Sequence, residues 1–160
     1  MAKDLDGIRI AQLSDIHYGP FLSRRELANA VGMANEFRPH LTVVTGDLIT
    51  RDGDPLDECL DELARLRADS GVWGCLGNHE IYARCEDYTE QEGRRRNLHF
   101  LREKQQVFRF GEARLNLAGV DYQKMHGDYL QRGKMLQEAG ALNVMLSHNP
   151  DAFGVAAQQG

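Results

Sequence analysis

Leu41-Thr42-Val43-Val44-Thr45-Gly46-Asp47 is the stretch whose reading decides the fold. Residues 41–45 are apolar or β-branched without interruption, the pattern of a parallel strand buried on both faces. Gly46 then lets the backbone turn tightly and approach a neighbour, leaving the Asp47 carboxylate at the end of the strand. The same arrangement recurs along the chain. Residues 8–13 read as a strand that runs into Ser14-Asp15-Ile16-His17, and residues 72–76 as one that runs into Gly77-Asn78-His79-Glu80. Leu142–Leu146 is a further buried strand, followed by Ser147-His148-Asn149.

Helices separate these strands. Ser23-Arg24-Arg25-Glu26 is a capping box, and Leu27, Val31, Ala34 and Phe37 recur at helical spacing until Pro39. Asp54-Pro55 predicts an N-cap and a first-turn proline for a helix with Leu56, Leu60, Leu63 and Leu66 on its inner stripe. Residues 86–104 predict another helix, which Gly93 weakens, and residues 128–139 predict a third. Residues 107–110 and 114–120 alternate about a Gly111-Glu112 turn, as an antiparallel hairpin does. Strands alternating with helices imply α/β architecture, with right-handed crossovers and a largely parallel sheet covered on both faces. Ligands of such sheets bind at the carboxyl ends of the strands, where Asp15, Asp47, Asn78 and His148 all fall.

The 160 residues form a single domain, with 42% hydrophobic and 27% charged residues, an ordinary soluble composition. A net charge of -5 carries no footprint for nucleic acid or anionic membrane, so neither is expected as a partner. No apolar run is long enough to span a bilayer, and Asp4 and Asp6 interrupt the start where a signal peptide would be apolar. Cys59, Cys75 and Cys85 lack metal-binding or disulfide spacing and fit a reducing, cytoplasmic setting.

Singly, each motif has a plain structural reading: a polar loop, a turn, a left-handed Asn, a helix entry. Together, at four strand ends, they make a ligand set of carboxylates, an amide oxygen and imidazoles. That set suits Mn, Fe, Zn or Co better than calcium or a structural zinc. Two divalent ions roughly 3.5–4 Å apart clamp a phosphate for in-line displacement, and such a pair needs a shared anion, which Asp47 on its tight turn can provide. His40, His99 and His126 have structural or solvated readings, and Arg94-Arg95-Arg96 reads as a solvated helical face. Asp121 lies at a strand end without being named as a ligand.

In this order the motifs resemble those of the calcineurin-like metallophosphoesterase superfamily: D-x-H, G-D, G-N-H-D/E, H and G-H-x-H. Ser14-Asp15-Ile16-His17-Tyr18-Gly19 is most similar to the phosphodiesterase-like branch that reads S-D-x-H-x-G. The resemblance implies an αββα sandwich and hydrolysis of a small phosphoester by hydroxide shared between two metal ions, phosphodiesters ahead of monoesters. Asp15 and His17 would hold one ion, Asn78 and His148 the other, with Asp47 bridging. His79 would face the substrate and protonate its leaving group.

The G-H-x-H motif is absent, and His148 is the last histidine. The chain is therefore expected to stop before its site and the last strands of its second sheet are complete. The unpaired edge would favour self-association. The competing expectation is an impaired fragment, or a metal-binding interaction scaffold of the same fold.

Overall fold

The computed structural model describes residues 3–123, 130 and 133–159. Leu41–Thr45 forms β2, between β1 (Ile10–Leu13) and β3 (Val72–Cys75), all three parallel. All five residues of β2 are buried, because both faces of the sheet are covered by different layers. Val44 packs into a cluster with Leu27 and Val31 of α1 (Arg24–Glu36) and Leu60 and Leu63 of α2 (Leu56–Leu63). Leu41 and Val43 point the other way, onto a second sheet, against Leu115, Leu117 and Leu146. This alternation is the strand period expressed in two cores.

Past β3 come α3 (Asn78–Tyr82), α4 (Glu86–Arg95) and β4 (Leu98–Phe100), which pairs parallel with β3. The expected long helix over 86–104 therefore ends early, and its last third is strand and loop. Gly93 marks the reason: a Cβ there would lie 2.8 Å from the Phe100 ring, so the glycine lets α4 seat on β4. The second sheet has β5 (Lys104–Phe110) and β6 (Ala113–Gly119) in the expected hairpin, and β7 (Leu142–Leu146) parallel to β6. Its outer face carries a 3-10 helix (Gly133–Leu136) and α5 (Phe153–Gln159), over a cluster of Val120, Leu130 and Ala152 with Met145 and Val155. The layers are α-β-β-α, as the motifs implied.

Two local readings change. Asp54 does not cap α2. Its carboxylate accepts from the Thr50 and Arg51 N–H groups at 2.9 and 3.0 Å, closing the preceding turn, and Pro55 takes the cap position. Of the helix expected over 128–139, residues 128, 129, 131 and 132 lie outside the described residues, and the described remainder holds a short 3-10 helix at Gly133–Leu136 followed by loop. Ser23 and Glu26 do form the expected capping box of α1. No helix among the described residues is long and apolar enough to cross a membrane.

Gly74 tests the fit of the first sheet, since a Cβ there would lie 2.3 Å from the Val44 carbonyl oxygen and 3.1 Å from the Phe100 ring. Gly74→Ala should lower the unfolding free energy by roughly 1–3 kcal/mol. Urea denaturation reads this as a lower midpoint at unchanged slope; a wild-type midpoint would mean the strands have room to part.

Candidate metal centre

The loops after β1 and β2 continue to pair beyond the strands. Asp15 N–H donates to Gly46 O at 3.1 Å, His17 N–H to Asp47 O at 2.9 Å, and Tyr18 N–H to Leu48 O at 2.9 Å. Ile16 and Tyr18 are buried in the helix-side core, which turns Asp15 and His17 outward. Asp15, His17 and Asp47 all take left-handed backbone angles, φ 54°, 46° and 55°. That region is unfavourable for residues with a Cβ and persists only where surrounding contacts enforce it. Here the enforcement is close packing of turn on turn. A Cβ on Gly46 would meet Gly77 N at 2.3 Å, and one on Gly77 would meet the Asp47 carboxylate at 2.2 Å.

Glu80 fastens these turns. It is fully buried, and its carboxylate accepts from Asp47 N–H (3.0 Å), Gly77 N–H (2.8 Å) and Leu48 N–H (2.7 Å). Burial pushes its pKa up, and this outweighs the three N–H groups that favour the anion. The Gly77-x-x-Glu80 spacing signals a capping contact in sequence; the link to Asp47 and Leu48 has no such signal.

The Asp47 carboxylate is where the side chains converge. His148 Nε2 lies 3.3 Å from it, His17 Nε2 3.6 Å and His79 Nε2 3.8 Å, while the His79 N–H donates to it at 3.0 Å. Each imidazole is held from behind. His148 Nδ1 contacts Thr45 O at 2.7 Å, His17 Nδ1 the Thr50 hydroxyl at 3.2 Å, and His79 Nδ1 the Thr50 carbonyl. A ring anchored through Nδ1 on a carbonyl presents Nε2 as its free coordinating atom when neutral. Burial alone would raise the Asp47 carboxyl, but hydrogen bonds from His148 and the His79 N–H hold it below its ordinary value. The reciprocal bond to Asp47 lifts His148 to about 9. Each proton here occupies a place that a cation can take.

Two groups have ligand atoms mutually within 4.8 Å: His17, Asp47 and His79, and Asp15, Asp47 and His148. Asp47 belongs to both. Five of the six residues singled out from sequence are thus brought together, and Asn78 lies in the same turn, between Gly77 and His79. The grouping differs from the one expected, since His17 pairs with His79 rather than with Asp15.

The other described residues weighed from sequence do not belong to either group. His40 Nδ1 accepts from Arg9 N–H, and His99 stacks on Trp73. Arg94, Arg95 and Arg96 pair with Glu90, Glu92, Asp57 and Asp61, as a solvated helical face would. Asp121 is bonded to Arg102, and His126 lies outside the described residues. Cys75 is buried, its thiol pushed up to about 12 by burial.

Comparison with known proteins places the chain in a family. The profile of the calcineurin-like phosphoesterase family matches residues 8–155. A transmembrane protein with metallophosphoesterase domain from Danio rerio is 34% identical over 82 residues, covering 51% of this chain and 19% of that protein. An uncharacterized metallophosphoesterase of Campylobacter jejuni is 28% identical over 152 residues, 94% of this chain and 40% of that one. UDP-2,3-diacylglucosamine pyrophosphatase LpxG of Chlamydia trachomatis is 34% identical over 77 residues, 48% and 23% respectively. The chain thus spans well under two thirds of the length of these relatives.

Glu80→Gln replaces one acceptor oxygen with an NH₂ group and leaves at least one of the three N–H donors without an acceptor. A buried donor so orphaned costs about 1–3 kcal/mol, so thermal unfolding should shift down by roughly 2–4 °C per kcal/mol. An unshifted transition would show that the turns hold together without this carboxylate.

Proposed function

Because the chain belongs to the calcineurin-like phosphoesterase family and is by family a hydrolase, we propose that it cleaves phosphoester bonds with two divalent cations, diesters ahead of monoesters. One observation carries the reading: a single carboxylate, Asp47, shared by two groups of candidate ligands. The resemblance assigns Asp15 and His17 to one ion and Asn78 and His148 to the other; the geometry supports Asp47 between two ions, while it sets His17 beside His79 and Asp15 beside His148. The donor set of carboxylate oxygen, amide oxygen and imidazole fits Mn, Fe, Zn or Co. Divalent cations held there would neutralise phosphate oxygens and bring the pKa of bound water towards neutrality.

The remaining work falls to the chain. His79 Nδ1–H donates to the Thr50 carbonyl, so in the imidazolium form the transferable proton sits on Nε2, the atom that delivers it to the departing oxygen. Its N–H bond to Asp47 fixes its distance from the cluster at the same time. Both devices favour orientation over mobility, which is where much of such catalysis resides. That one relative is a pyrophosphatase supports substrates whose phosphorus is substituted through two of its oxygens, as in a diester. The three free cysteines support a reducing, cytoplasmic setting, and the edge of β7 away from β6 is where a second copy would add.

Hydrolysis of bis-p-nitrophenyl phosphate and p-nitrophenyl phosphate, with and without Mn²⁺, is the direct test. Mn²⁺-dependent turnover should favour the diester. Asp47→Asn should abolish it, by more than the roughly 10–100-fold that follows loss of a residue merely orienting a ligand, while circular dichroism stays native. Full activity in that variant rules out the shared-carboxylate assignment.

His79→Gln should slow alkyl esters by about 10²–10⁴-fold and nitrophenyl esters much less, because nitrophenolate leaves without a proton. Equal losses for the two would remove His79 from the acid role.

A further inference from the structure

Four aromatic rings form a chain of contacts through the site. His17 and His79 meet edge to face, their centroids 4.8 Å apart and their planes at 90°. Phe21 lies against His17 at 6.0 Å and 77°, and Tyr82 against His79 at 5.9 Å and 64°. The two outer rings stand in water: Phe21 is 74% exposed and Tyr82 64%. Large exposed aromatic side chains beside a polar cleft mark a contact surface.

The backbone carrying each ring is anchored locally. The Phe21 loop is closed by a bridge between Tyr18 and Leu22 and by the Gly19 N–H bond to Leu22 O at 3.0 Å. Tyr82 ends α3, three residues after His79, and the next N–H, that of Ala83, bonds back to His79 O at 2.9 Å. Short local structure thus sets the backbone position of each aromatic residue relative to its histidine.

Among the described residues, the exposed large non-aromatic hydrophobic side chains are Met33 in α1, Met135 in the 3-10 helix over the second sheet, and Ile10 and Leu142, the first residues of β1 and β7. The last two therefore lie at the amino ends of the strands, away from the site. Among the described residues, what the site offers an organic group is flat rings: Phe21 and Tyr82 beside His17 and His79, and Tyr122 against His148 at 6.3 Å. That composition suits a planar aromatic group rather than an acyl chain.

We propose, on the reading of the site given above, that Phe21 and Tyr82 determine specificity by holding a planar aromatic group of the substrate. The substrate class is then aryl or nucleobase-bearing phosphoesters. Each ring stacks on or edges against that group while the phosphate sits among the histidines and Asp47.

Calorimetric titration of the Mn²⁺-loaded chain with phenylphosphonate, hexylphosphonate and methylphosphonate tests this without relying on turnover. Phenylphosphonate should bind most tightly. Phe21→Ala and Tyr82→Ala should each weaken it by about 3–10-fold and leave methylphosphonate unchanged, and Phe21→Tyr should restore it. Equal losses for the phenyl and methyl compounds, hexylphosphonate matching phenylphosphonate throughout, or no binding of phenylphosphonate would each overturn the inference. Selective binding by a chain that does not hydrolyse bis-p-nitrophenyl phosphate would sink the hydrolase reading and leave this one standing. Hydrolysis without the selectivity would do the reverse.

Discussion

A carboxylate sealed away from water holds the candidate centre together. Glu80 receives N–H groups from both sides of the junction between the β2 and β3 turns: Asp47 and Leu48 on one, Gly77 on the other. An ion in such a place is expensive unless its lone pairs are satisfied, and three backbone donors satisfy them. The arrangement solves two difficulties at once. It gives partners to N–H groups that a tight turn would otherwise bury without acceptors. It also presses together two turns whose backbones approach more closely than any side chain allows, at Gly46 and Gly77.

The strain stored in that junction is specific. Asp15, His17 and Asp47 hold left-handed angles that their own chemistry disfavours, and they are the residues whose side chains point at the cluster. The alternation of Ile16 and Tyr18 inward with Asp15 and His17 outward needs those angles, because the loop follows its neighbour beyond the end of the sheet. Stability drawn from the two cores on either side of β2 is what permits a strained rim at its carboxyl end.

Most of this was legible in the sequence at the level of type and place. The unbroken apolar run of β2, the capping box of Ser23 and Glu26, and the polar motifs after each strand follow rules that act over a few residues. β4 escaped because three residues are too few to show a period, and because the packing of Phe100 on Gly93 joins elements that sequence spacing does not pair. Asp54 was misassigned because an Asp before Pro serves a turn as readily as a helix start. The partnership of His17 with His79, and the reach of Glu80 to Leu48, depend on how two loops stack in space. No local pattern encodes them.

The ligand-bearing turns draw on both extremes of the chain: Asp15 follows the first strand and His148 the last. During synthesis the early turns emerge and can fold while the residue that closes the second group is still unmade. On the proposed assignment the centre would have a built-in order of assembly, in which a nascent chain offers only part of the candidate ligand set until β7 docks beside β6. On that same assignment, metal capture would report that the second sheet has formed.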